Sequence, residues 1–144
     1  MLPEAETRYM AIDYGSKRIG LALSDPFKIF AYPFLTIPNC DKTTEEILKI
    51  ISEKGVIKII IGLPYKEDGS IGELGNTIRH FADSLRKSSS PEIEFWDERY
   101  SSSIASERIL ASGIGKKARR DKALIDKNAA AVILQEYMDS KKLI

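Results

Sequence analysis

The sequence predicts an α/β fold on a mixed five-stranded sheet flanked by helices, in the order βββαβαβαα, with residues 1–144 forming one domain. Three observations carry that reading. Three apolar-patterned segments open the chain with connections too short to hold a helix, so their strands are antiparallel neighbours. The stretch VIKIIIGL, Val56 to Leu63, is almost continuously apolar, as a parallel strand covered on both faces must be. Segments of helical periodicity separate the later strands and supply crossover connections.

Each element has its own justification. Residues 7–14 form the first strand, with Met10 and Ile12 on one face and Tyr9, Ala11 and Asp13 on the other. Gly15 and Ser16 turn the chain into a second strand, Ile19 to Ser24, giving a hairpin. A third strand covers Ile29 to Ile37, where Pro33 requires an edge position or a bulge. A helix opens at Asp41-Lys-Thr-Thr-Glu-Glu. Thr43 and Glu46 have capping-box spacing, Ile47, Leu48, Ile50 and Ile51 supply the buried stripe, and Gly55 ends it.

After Val56–Leu63 comes GLPYKEDGSIGELGN, rich in turn formers, a loop that enters a helix near Gly72. Leu74, Ile78, Phe81, Ala82 and Leu85 recur at helical spacing; Ser88 to Pro91 breaks the pattern, and Ile93 to Trp96 is a short strand. Ser101 or Ser102 caps a helix whose stripe is Ile104, Ala105, Ile109 and Leu110, with Gly113 as its C-cap. The last helix runs from about Asp126 to Met138 and packs through Ala130, Ile133, Leu134 and Tyr137.

Composition narrows the chemistry. Hydrophobic residues make up 43% and charged residues 30% of the chain, an ordinary balance for a soluble domain that buries a core without staples. The longest apolar run, Ile59 to Leu63 with one glycine, is far too short to span a membrane, and MLPEAETRYM lacks the layout of a secretory signal. The single Cys40 forms no internal disulfide and suits a reducing compartment. These features predict a cytoplasmic protein without a membrane partner. One cysteine and one histidine, His80, cannot build a Cys/His zinc centre without carboxylates. Net charge is only +1, yet Lys116, Lys117, Arg119, Arg120 and Lys122 fall within seven residues, opposed by Asp121. That run is either a solvated loop or a phosphate contact.

Three acids sit where structure alone does not ask for them. Asp13 lies near the end of the first strand, Glu98 at the end of the last, and Asp126 at the opening of the final helix. Each has a structural explanation: a turn residue, a strand-end charge paired with Arg99, and an N-cap. Taken together they suggest more, because ligands of open α/β sheets bind at the carboxyl ends of the strands. Clustered carboxylates repel one another and need a cation to coexist. Hard oxygen ligands suit Mg²⁺ or Mn²⁺, and two such ions about 4 Å apart can activate a water and stabilise the leaving oxygen of a phosphodiester. Alternation lets only one of Asp97 and Glu98 face Asp13. Glu98 shares a face with Trp96 and Asp97 with Phe95, and the pattern leaves both open.

Four blocks, AIDYGSKRIGLALSD, GLPYKEDGSIGE, DERYSS and DKNAAAVILQEYMD, resemble in that order those of the YqgF/RuvX-like family. These are small bacterial proteins of the RNase H-like superfamily, related to Holliday-junction resolvases and assigned to pre-16S rRNA cleavage. The resemblance spans Tyr9 to Asp139 and implies an RNase H-like fold and divalent-metal-dependent nuclease activity. By position it implies Asp13, Glu98 and Asp126 as catalytic metal ligands, favouring Glu98 over Asp97. A fourth acid, as the resolvases often use, would have to be Asp97 or Asp25, and Asp25 reads as a turn residue. Tyr100 stands where the family usually has leucine and Ser101-Ser102 where threonines are common, departures that leave the acids intact.

Beside such a metal cluster, Lys17, Arg18, Arg99, Lys116, Lys117, Arg119, Arg120 and Lys122 are expected to hold a nucleic-acid backbone, and the loop Gly62–Gly72 to close over substrate. The expected partner is pre-rRNA, with 5′-end processing of pre-16S rRNA as the role, or branched DNA if the protein is a junction resolvase. Monomer and homodimer are both open, and two symmetric cuts would require the dimer. A non-catalytic RNA-binding module is a further alternative. An actin-like kinase, which DYG and its hairpin also suggest, needs two such halves around its nucleotide.

Overall fold

A computed structural model of the chain describes residues 6–97 and 122–142. Its strands are β1 (Arg8–Tyr14), β2 (Arg18–Ser24), β3 (Ala31–Pro38), β4 (Val56–Leu63) and β5 (Glu92–Asp97). The described helices are α1 (Thr43–Lys54), α2 (Gly72–Ser88) and α3 (Lys122–Lys142). The strands lie side by side in the order β3-β2-β1-β4-β5. β2 is antiparallel to β1 and β3, whereas β4 runs parallel to β1 and β5, giving the predicted mixed sheet. The helix predicted after Ser101 or Ser102 lies outside the described residues.

Alternation along the strands divides the sheet into two different faces. Met10, Ile12, Ile19, Leu21, Leu23, Ile59 and Ile61 pack against Ile47 and Ile50 of α1 and Ile78, Ala82 and Leu85 of α2. The opposite face is built from smaller residues, Ala11 and Ala22, with Ile60, and it receives Ala130, Ala131, Ile133, Leu134 and Tyr137 of α3. Small side chains there let a helix backbone approach the sheet closely. β4 is covered on both sides, as its apolar run requires.

Large side chains fix the far half of α3. Tyr137 meets Trp96 and Tyr9 edge-on, with ring centroids 5.7 and 6.3 Å apart, and its hydroxyl accepts a 2.6 Å hydrogen bond from Lys58 Nζ. Burial pushes the Tyr137 phenol up, and its hydrogen bond to Glu94 holds that carboxyl below the usual range. Trp96 Nε1 donates to Glu136 at 3.1 Å. The near half depends on a missing side chain. A Cβ placed on Gly20 would lie 2.2 Å from the Asp126 carbonyl oxygen and 2.9 Å from the Lys127 nitrogen.

Several local readings need correction. β3 begins at Ala31, not Ile29, because the Asp25 carboxylate captures the N–H groups of Phe27, Ile29 and Phe30 and holds that segment as a turn. Pro33 is on the edge strand, and the β2–β3 register slips there: Leu21 faces Leu35 while Ala22 faces Pro33. Thr43 makes no capping box. It is buried as the first residue of α1, accepting from Cys40 N and donating to the Pro38 carbonyl, so it ties down the chain entering the helix. Leu74 lies in the first turn of α2 and is 42% exposed, outside the core. α3 starts at Lys122, a full turn before Asp126, so Asp126 is not an N-cap.

Two predictions test this framework. Gly20→Val should destabilise the protein by about 1–3 kcal/mol in urea unfolding, since the overpacked side chain must push α3 off the sheet. Trp96, the one tryptophan, reports α3 docking by fluorescence. The second concerns Asp25. Partial burial raises its carboxyl pKa, but the backbone donors from Phe30, Ile29 and Phe27 outweigh that and set it below the usual value. A depressed carboxylate stabilises above its unfolded pKa, near 3.9, and loses that contribution as pH falls through the folded value. Asp25→Ala should therefore cost about 1 kcal/mol at pH 7. The gap to the native protein should close as denaturation is repeated below about pH 4.

Candidate metal and nucleic-acid cleft

Because β1, β4 and β5 are parallel, their carboxyl ends share one rim of the sheet. Asp13 sits near the end of β1 on the same face as Ala11, the face that α3 covers. Its partner across the hairpin is Gly20. In the register that pairs Ile12 with Ile61, the next position on β4 is Gly62. Two glycines thus flank Asp13 on the neighbouring strands. The contact of Gly20 with the Asp126 backbone brings the second turn of α3 to the same rim.

These placements form a cleft of about 310 Å³ lined by Asp13, Gly15, Ser16, Lys17, Arg18, Leu74 and Asp126. Asp126 Oδ2 accepts a 2.9 Å hydrogen bond from Arg18 Nε, with the side chains 24% and 36% exposed. The hairpin turn carrying Ser16 and Lys17 is closed by Gly15 N donating to the Arg18 carbonyl. Asn39 fastens it from outside, its Nδ2 donating to the Gly15 carbonyl and its backbone N–H to that of Lys17. The turn is therefore tied to the end of β3 as well as to its own hairpin.

Of the residues singled out from sequence, Asp13, Asp126, Lys17 and Arg18 come together here. Lys122 falls in the first turn of α3. Glu98, Arg99, Lys116, Lys117, Arg119 and Arg120 lie outside the described residues. Among the described residues no three His, Cys, Asp or Glu side chains gather in one group. The two alternative acids are placed elsewhere. Phe95 packs with the α1/α2 side of the core and Trp96 with Tyr137, so alternation turns Asp97 away from the Asp13 face. Asp25 anchors its own turn at the opposite end of β2.

Sequence reasoning missed Ser16 and Leu74 as cleft residues. Leu74 shares the helical spacing of the buried residues of α2, but it belongs to the first turn of that helix, beside the rim. The positive φ of Gly72, +66°, marks that helix entry. Cys40 is exposed at the start of α1 and lines no part of the cleft.

A family model described as "RuvX: Holliday junction resolvase" matches residues 7–140. The chain belongs to the RuvX family. A relative from Bacteroides fragilis named "Putative pre-16S rRNA nuclease" is 38% identical over 138 residues, covering 95% of this chain and 99% of its own. Relatives of the same name from Porphyromonas gingivalis and Chloroflexus aurantiacus are 42% and 36% identical, each covering 92% of this chain and 96% and 87% of theirs. Among solved structures, a fowlpox virus resolvase bound to Holliday junction DNA superposes with a TM-score of 0.58 at 12% identity, over 93% of this chain and 98% of that one. T. thermophilus RuvC in complex with a Holliday junction substrate gives 0.57 at 13%, over 94% and 96%. At such identities the likeness establishes the RNase H-like fold expected of a RuvX chain.

Proposed function

We propose that this RuvX protein is a divalent-metal-dependent nuclease that hydrolyses RNA phosphodiester bonds at the 5′ end of pre-16S rRNA. The observation that carries this reading is the meeting of Asp13 and Asp126, 113 residues apart in the chain, in one cleft with Lys17 and Arg18. The relatives' names supply the substrate, since fold alone does not assign one.

The donor set fits the metal. Two carboxylates with no nitrogen or sulfur ligand beside them among the cleft residues are hard donors, suited to Mg²⁺ or Mn²⁺. Glu98, which the family resemblance implies as the strand-end acid, would be the third ligand. Bound there, the ion would supply Lewis-acid stabilisation of the phosphoryl oxygens and a more acidic water. The chain's own groups would position the strand. Lys17 and Arg18 offer charge-assisted hydrogen bonds to phosphate oxygens, and Leu74 gives the cleft an apolar wall for a sugar or base. Arg99 and the basic residues Lys116, Lys117, Arg119, Arg120 and Lys122 would extend the phosphate track. Among the described residues no helix is long and apolar enough to cross a membrane.

Asp13→Asn and Asp126→Asn should each abolish Mg²⁺- or Mn²⁺-dependent cleavage of a precursor rRNA 5′ segment while leaving the circular dichroism spectrum unchanged. Cleavage at the native rate by either variant would remove its acid from the site. The resolvase reading is kept alive by the family description. It is tested by offering four-way junction DNA beside the RNA, with metal and with chelator. Preferential paired cutting of the junction by a dimer would move the substrate to DNA. Tight RNA binding without cleavage in any divalent metal would make the protein a binding module.

A further inference from the structure

The 2.9 Å contact between Arg18 Nε and Asp126 Oδ2 raises a question that the nuclease reading leaves open. A carboxylate assigned to a metal carries a full positive charge on one of its ligand oxygens, and that cation lines the same cleft. Arg18 is not free to drift from this position. It is the first residue of β2, its carbonyl closes the hairpin turn, and Asn39 ties that turn to the end of β3. Asp126 is equally constrained, because its backbone lies against Gly20. The pair is therefore held together by the backbone of two elements.

We infer that Arg18 is a built-in competitor of the metal at Asp126, released to the substrate phosphate when the metal takes the carboxylate. A divalent ion at Asp126 replaces the guanidinium there and repels it across the cleft. The displaced side chain, still anchored at the start of β2, then has its N–H donors free at the position where an incoming phosphate must lie. Metal and nucleic acid consequently favour each other's binding, and in free protein the metal binds more weakly than the acids alone would allow. Arg18 on this view is a positioning residue for the metal and a contact for the backbone. The inference rests on the metal-site reading of Asp126.

The sign of one measurement separates this role from a merely structural one. Titrate Mn²⁺ into the full-length protein without nucleic acid, by calorimetry or by electron paramagnetic resonance of the free ion. If Arg18 only supports the fold, Arg18→Met should weaken Mn²⁺ binding. As a competitor its removal should tighten it about fivefold, the scale of a partly exposed ion pair. Arg18→Lys keeps the charge, guards against a folding defect in the methionine variant, and should fall between the two. Anisotropy of a labelled single-stranded RNA gives the second readout. The native protein should gain affinity on changing from chelator to Ca²⁺, and Arg18→Met should lose most of that gain.

Unchanged or weaker Mn²⁺ binding in Arg18→Met, alongside loss of binding in Asp126→Asn, overturns the competitor role and leaves the metal site standing. Native Mn²⁺ affinity in Asp126→Asn overturns the metal-site reading itself.

Discussion

The site depends on one close approach, the backbone of α3 at Asp126 against the bare α-carbon of Gly20. Any side chain at position 20 would overlap the Asp126 carbonyl. Gly20 is also the cross-strand partner of Asp13. One glycine thus pairs with the first acid across the hairpin and admits the element that carries the second. Strand pairing places Asp13 at the rim, and this contact lets Asp126 come there.

The two faces of the sheet are specialised in the same sense. The face toward α1 and α2 is filled with branched side chains that interlock into a thick core. The α3 face presents Ala11, Ala22 and Gly20 to the near half of the helix, and Tyr9 of β1 and Trp96 of β5 to Tyr137 in its far half. Small residues bring a helix close; large aromatic ones with a half-buried lysine fix its azimuth and tilt. α3 is therefore gripped along its far half and fitted tightly where the cleft lies. Precision at Asp126 follows from anchoring some eleven residues away, at Tyr137 (Asp126 to Tyr137 being three turns of helix).

Most of the architecture was legible because it follows from periodicity. The continuous apolar run of β4 announced burial on both faces, and the short connections of the first three strands announced antiparallel pairing. The failures were local, and two of them had one physical origin, side-chain hydrogen bonds that compete with pattern. Ile29 and Phe30 have strong strand propensity, yet the Asp25 carboxylate captures their N–H groups. Thr43 has capping-box spacing, but its hydroxyl is committed to Cys40 and Pro38. Asp126 is a residue type common at caps, but here it lies four residues inside α3. The acids of the cleft were visible as residues that structure did not need. Their flanking glycines and the wall at Leu74 were not, since nothing in a one-dimensional pattern shows which elements meet.

The misreading of Asp126 matters chemically. An N-cap aspartate spends its carboxylate on the helix's own N–H groups. One turn further in, those groups are already paired with backbone carbonyls, so the side chain is available to whatever faces the helix. Here that is Arg18. A carboxylate in the second turn of α3 can therefore exchange a guanidinium for a cation without unravelling the helix end, whereas a capping residue could not. The helix, reaching four residues further toward the N-terminus than the sequence suggested, leaves this carboxylate to Arg18 and, on the reading proposed above, to a cation.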